Sequence, residues 1–187
     1  MTPLWRRILI ATLLGLVFIL ATSCAFGQVP YESTFRAVAG PHRWVDRAAQ
    51  VKAESLFRPG VTAPDGGMGL AQFMPATWSW AQAQGWVARG ASAYEPTAAI
   101  TAQHAYMTWL ESRTGGGLDP ALGAYNAGLG SVRKAQLLAA QLGLQGQAAW
   151  LQALPRVTGE RNASITRGYL ARNLRYRIEL GGGHAPR

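Results

Sequence analysis

The sequence predicts a mainly α-helical, single-domain protein, and three observations carry that expectation. Apolar residues recur at three- and four-residue steps through most of the chain after residue 43, the spacing of one buried helix face. Strand-like alternation of β-branched and aromatic residues is nearly absent. Prolines and glycines fall where helices begin and end. At 187 residues the chain has room for one core of ordinary size.

Residues 1–26 read as a signal peptide or signal anchor. Arg6 and Arg7 make a positive start, Ile8 to Ala21 is uncharged and mostly apolar, and the small residues Ser23, Cys24 and Ala25 follow. The apolar run, about 14 residues, is short against the ~20 that span a bilayer. Either form sends the rest of the chain across a membrane, to the periplasm or cell envelope. Cys24 is the only cysteine, which excludes an intrachain disulfide. Ala21-Thr22-Ser23-Cys24 resembles a bacterial lipobox with Ala where Leu is usual. Lipidation at Cys24 and an incidental residue of a discarded signal both fit.

Residues 27–42, polar and punctuated by glycine, are expected to be a linker, and the folded domain to run from 43 to 180. From Arg43 a helical stripe of Val45, Ala48, Ala49, Ala53, Leu56 and Phe57 leads to a stop at Pro59-Gly60. Glu54 sits one position off this stripe, at the edge of the buried face. Val61 to Gly69 carries Pro64, Asp65 and three glycines and reads as a loop with at most a small hairpin near 61–70. A short helix is expected next, and Pro75 opens another through Trp78 and Trp80. Pro96 opens a helix with the stripe Ala99, Ala102, Tyr106, Trp109 and Leu110, which Gly115-Gly116-Gly117 ends. Asp119-Pro120 reads as an N-cap and first-turn pair for a helix from 121 to 127, stopped by Gly128 and Gly130. Ser131 to Leu142 is a further helix. Ser164 is the expected cap of a last one that runs to Leu180, and 181–187 is a flexible tail.

Lysine and arginine total 18 against 9 acids, a net charge of +9 spread along the chain without a like-charge block. Such a charge attracts anionic partners such as nucleic acid, lipid headgroups or bacterial wall. No helix-turn-helix, zinc-finger or RNA-recognition pattern occurs, so no nucleic-acid partner is expected. His42, His104 and His184 lack metal-ligand spacing, and no nucleophile-elbow or phosphate-loop motif is present. No metal or cofactor is therefore expected. The seven tryptophans are many for this length. Most belong in the core, with Trp78, Trp80 and Trp86 as candidates for a sugar-stacking platform.

Three motifs carry the chemistry. The first is Glu54-Ser55-Leu56-Phe57-Arg58-Pro59 and the second Gly67-Met68-Gly69-Leu70-Ala71-Gln72-Phe73-Met74-Pro75-Ala76-Thr77. The third is Ala124-Tyr125-Asn126-Ala127-Gly128. A lone glutamate at a helix end, faced by a glycine-rich turn, is what a general acid for breaking a sugar–sugar bond requires. In order and spacing the three motifs resemble the catalytic domain of the soluble lytic transglycosylases, enzymes that cut bacterial peptidoglycan. The likeness is good over 43–135 and looser over 150–178. It implies a lysozyme-like α+β fold, peptidoglycan glycan strands as the partner, and Glu54 as the catalytic acid. It also implies that Ser55 orients the carboxylate or a sugar, that Met68 and Gln72 line the groove, and that Gly69 lets the backbone approach the glycan. Tyr125 would bond near Glu54, and Asn126 would hold an N-acetyl group or the turn. Thr166-Arg167-Gly168-Tyr169 matches a family segment whose tyrosine approaches the glutamate, but Ile165 replaces the family's acid there. Glu160 is a conceivable substitute. Glycosidases usually employ two carboxyls, whereas this family uses one residue twice. The alternatives are a lysozyme-type hydrolase, with Asp65 as second carboxylate, and a non-catalytic wall-binding protein.

Overall fold

The computed structural model describes residues 28–181. The signal segment, Cys24 and residues 182–187 of the tail lie outside them. Seven helices follow one another among the described residues, with no named strand. They are α1 (Glu32–Ser55), α2 (Pro75–Ala83), α3 (Pro96–Arg113), α4 (Leu118–Ala127), α5 (Leu129–Gln141), α6 (Ala149–Thr158) and α7 (Glu160–Glu179). None of them is long and apolar enough to cross a membrane.

Helix α1 corrects the expected linker. The compact unit begins at Tyr31 rather than residue 43, and 32–39 is helical, joined to the rest of α1 across a kink at Gly40 (φ 72°, ψ 174°). Pro41 follows the kink, as suits a first helical turn. The segment is held because Phe35 is wholly buried and meets Phe57 edge-on, with ring centroids 6.4 Å apart. Arg36 bonds Glu32 one turn back and lies over the Trp44 ring. At its other end α1 stops at Ser55, earlier than the stripe predicts. Leu56 and Phe57 both adopt left-handed backbone (φ 53° and 60°), and Leu56 points to solvent.

The remaining boundaries depart from expectation in ways that have local causes. Residues 69–72 form turns rather than a short helix, and α2 opens at Pro75. Glu95 caps α3 by accepting the Thr97 and Ala98 amides, which holds its carboxyl below the usual range. Asp119 is not a cap, since α4 already begins at Leu118 behind Gly117. Helix α6 has no counterpart in the sequence reading, and it continues through Pro155. Gly159 (φ 80°) turns the chain directly into α7, so Ser164 lies inside that helix rather than at its cap.

Helix α1 packs on α7 and α3, α4 sits among α3, α5 and α7, and α6 is clasped between α5 and α7. The larger core cluster contains Met107, Leu110, Leu122, Val132, Trp150, Leu154 and Tyr169, and a smaller one Phe73, Trp78, Ala81, Ala93 and Ala102. Tyr106 packs against both. Gly123 is required by this packing: a Cβ there would lie 2.3 Å from the Trp150 ring.

Candidate active site

Glu54 stands on the last turn of α1, where the helical stripe gives way to the loop of residues 56–74. Antiparallel pairing folds that loop back on itself. Met68 exchanges two backbone hydrogen bonds with Phe73 (3.0 and 3.1 Å) and bridges to Thr62 on its other side. These bridges are the small β element expected near 61–70. Gly69 (φ 66°) sits where a Cβ would come within 2.0 Å of the Ala93 carbonyl oxygen, so its role here is to let the loop dock on the chain before α3. Gln72, itself left-handed at φ 52°, turns its side-chain amide inward and donates to the Gly69 carbonyl at 2.8 Å. Both residues therefore build the loop.

Tyr169 closes the site from α7. Its hydroxyl donates to Glu54 Oε1 at 2.6 Å, across 115 residues of sequence. Helices α1 and α7 run antiparallel here, since Asp46 approaches Arg177 (3.7 Å) eight residues before Glu54 and eight after Tyr169. Lys52 adds a bond to Glu179 at 2.7 Å. The departure at Ile165 leaves this reach intact, because Ile165 points to solvent. Glu160 does not stand in for the missing acid, being exposed and paired with Arg167.

Two further residues find other partners than expected. Ser55 is buried, and its hydroxyl turns back to the Val51 carbonyl (3.4 Å) instead of to Glu54. Tyr125 donates its hydroxyl to the Ala71 carbonyl at 2.7 Å, which ties α4 to the loop beneath Glu54. Asn126 is exposed, and its Oδ1 accepts from Thr166 on α7 (3.0 Å). The third motif thus joins the loop and α7 into one frame around the carboxylate.

Glu54 is only partly open to solvent, and desolvation pushes its carboxyl up to about 7. The Tyr169 hydrogen bond and the Arg172 charge oppose that rise, and Asp65 adds slightly to it. Burial, with the Glu54 charge beside them, raises the Tyr125 and Tyr169 hydroxyls well above the usual phenol range, so both remain proton donors. Arg172, which also lies over the Tyr169 ring at 5.9 Å, is a neighbour of the carboxyl that the motifs do not include. No sequence signal marks it out, because its placement follows from the α1–α7 packing.

Aromatic rings continue the wall away from Glu54. Tyr125 packs on Phe73 and Tyr106, and Tyr106 on Trp80, Trp86 and Trp109, with centroids 5.4–6.1 Å apart. Trp80, Trp86 and Trp109 are half-buried, whereas Trp78 is core, its indole N–H given to the Ala91 carbonyl. A cavity of about 650 Å³ lies elsewhere, lined by residues 114–120, Gln136, Trp150 and Arg177. No group of three or more potential metal ligands occurs among the described residues.

Glu54 thus combines partial burial, a raised pKa and a tyrosine partner, features that mark a candidate acid–base group. The chain belongs to the transglycosylase SLT domain family, whose model matches residues 48–144, just over half of it. The 70 kDa soluble lytic transglycosylase SLT70 of Escherichia coli is 25% identical, with a TM-score of 0.68 over 82% of this chain and 24% of its own. The 70 kDa soluble lytic transglycosylase in complex with bulgecin A gives 25% identity and a TM-score of 0.69, over 84% of this chain and 25% of its own. An inactive Glu-to-Gln mutant of lytic transglycosylase Slt from Pseudomonas aeruginosa shares the fold at 20% identity and a TM-score of 0.63, over 86% and 25%. The chain therefore spans about a quarter of the length of these solved relatives. No curated protein matches it in sequence. The mainly helical, lysozyme-like fold is that of SLT70.

Proposed function

We propose that this chain is a peptidoglycan lytic transglycosylase that cleaves the MurNAc–GlcNAc β-1,4 bond without water, with Glu54 acting first as acid and then as base. The observation that carries the reading is a single partly buried carboxyl, pushed up to about 7 and held by Tyr169, on a chain of the SLT family. Near neutral pH a substantial fraction of Glu54 carries a proton. It gives that proton to the leaving glycosidic oxygen as the bond to the anomeric carbon breaks. The acetamido oxygen of the same sugar stabilises the positive charge on that carbon. Ionised Glu54 then takes the proton of the sugar's carbon-6 hydroxyl, whose oxygen closes on the anomeric carbon. A 1,6-anhydro ring forms, and Glu54 is protonated again.

Met68 and the rings of Tyr125 and Tyr169 wall the reacting sugar. Asn126, its Oδ1 already occupied by Thr166, offers its amide N–H groups to a sugar acetamido oxygen. Ser55, Gly69 and Gln72 act by holding the loop. Residues 1–26 export the chain to the periplasm or envelope, cleaved, retained as an anchor, or lipidated at Cys24. Acyl labelling of the exported protein and the mass of its N-terminus discriminate among the three.

The test is mass spectrometry of fragments released from purified peptidoglycan by the exported chain and by Glu54→Gln. Anhydro-muramyl ends from the first, reduced at least ~100-fold in the variant, are the expected result. Reducing ends, one water heavier, favour the second reading, a hydrolase. That reading draws on Asp65, whose charge is felt at Glu54. Release of nothing by the wild-type chain overturns both in favour of a binding role.

A further inference from the structure

Helix α7 carries five arginines, and the fold uses them unequally. Arg167 pairs with Glu160 and Arg177 with Asp46, while Arg175 gives an N–H to the Tyr176 hydroxyl. Arg161 and Arg172 are exposed and enter no ion pair among the described residues. Of these two, Arg172 stands at the Glu54 cleft. Its side chain runs back along the helix, as long side chains on helices do, and brings Nη1 level with Gly168, 3.7 Å from where a Cβ on that residue would stand. Its guanidinium carbon lies 5.9 Å from the centre of the Tyr169 ring, whose hydroxyl holds Glu54. A fixed cation there favours the ionised form of Glu54, against the proton that an acid must hold. A cation that opposes the acid and neutralises no carboxylate of the fold points to an anion brought by the ligand.

We propose that Arg172 is a specificity-determining residue, which pairs with a carboxylate of the acidic peptide that peptidoglycan carries on its muramic sugar. This rests on the substrate proposed above, because the sugar that would react at Glu54 is the one that bears the peptide. A guanidinium suits such a partner: it is planar, always charged, and able to meet both carboxylate oxygens with two N–H groups. The pairing has a second effect. Once a peptide carboxylate neutralises Arg172, the pull of the guanidinium on Glu54 is relieved, and the carboxyl keeps its proton to higher pH. A strand with its peptides in place thereby helps to protonate the acid that cuts it, and a strand stripped of them does not. The other groups that face Glu54 are Tyr169 on α7, Tyr125 on α4 and Asp65 in the loop, and none of them is a cation.

The probe is the GlcNAc–MurNAc disaccharide, which lacks the bond proposed to be cut, bearing either a stem tripeptide with free carboxylates or the same tripeptide fully amidated. Affinities for the full chain are read by NMR titration in wild type, Arg172→Gln and Arg175→Gln. Wild type should bind the acidic form about fivefold more tightly than the amidated one at low salt, and the ratio should fall toward one as salt screens the pair. Arg172→Gln should bind both forms alike. Arg175→Gln, which removes an equal charge from the same exposed helix face, should keep the preference. Equal binding of the two forms by wild type, or no binding of the acidic form, overturns the proposal. So does a preference that survives in Arg172→Gln or is lost equally in Arg175→Gln, since the charge of the whole helix would then be responsible. These readings need no turnover. A chain that releases no anhydro ends but shows the Arg172-dependent preference would lose its proposed activity while keeping the Arg172 assignment.

Discussion

Two of the carboxylates that the fold withdraws from water, Glu111 and Glu54, are treated in opposite ways. Glu111, near the end of α3, is 6% exposed and meets two guanidiniums, Arg43 at 2.9 Å and Arg47 at 3.0 Å. Glu54 receives one neutral hydroxyl at 2.6 Å, with Arg172 acting only through space. Both lie against α1, the first toward its middle and the second at its C-terminal end. A buried charge that is matched by cations is structural, because the pair makes good in Coulomb energy what each member loses in hydration. A carboxyl desolvated without a cation in contact holds its proton to a higher pH, which is a cost in stability and the source of an acid.

Removing the pairing charge should therefore do most damage at the structural end. Glu111→Gln leaves Arg47, 1% exposed, without its counter-charge. A loss of about 3–5 kcal/mol is expected, read as a lower urea midpoint at unchanged slope. A loss below ~1 kcal/mol would mean that the pair is screened like a surface one.

At the other end the same substitution should stabilise. The folded pKa of Glu54, about 7, lies above its unfolded value of 4.5. The folded state therefore binds the extra proton between these limits, and stability is lost as pH rises through 7. Glu54→Gln, which cannot ionise, should gain on the order of 1–3 kcal/mol over wild type at pH 8 and nothing at pH 4. Equal stability of the two at both pH values would remove the contrast with Glu111. Cleavage by the wild type should fall as pH rises above 7, where Glu54 has lost its proton.

The smallest effect is expected at Tyr169. Its hydroxyl lowers the Glu54 pKa by favouring the carboxylate, so Tyr169→Phe should move the alkaline limb of the pH–rate profile upward by about one unit. Activity at the optimum should drop about tenfold, as the carboxyl loses its orientation. An unmoved limb would mean that burial alone sets the acid.

The parts of this site that were legible in the sequence are those fixed over short range. The helical period placed Glu54 at the edge of a buried face, and three ordered motifs named the loop and the Tyr125–Asn126 end of α4. The linker reading of 27–42 failed because a single aromatic, Phe35, finds Phe57 in space and pins a polar helix whose composition looks like spacer. Ser55, Gln72 and Tyr125 were named, but their partners were not. A hydroxyl or an amide bonds whatever polar group the fold brings within hydrogen-bond reach, and for these three that is the Val51, Gly69 and Ala71 backbone.

By itself the sequence determined the helical class, the place of Glu54 at the end of a helix and the glycine-built loop after it, since periodicity and backbone stereochemistry are local properties of the chain. Only the tertiary structure decided what surrounds the carboxyl. The Gly159 corner swings α7 antiparallel to α1 and brings Tyr169 within 2.6 Å of Glu54. Desolvation, hydrogen-bond direction and distance to charge depend on groups up to 115 residues away, and those three quantities set the proton affinity of the site.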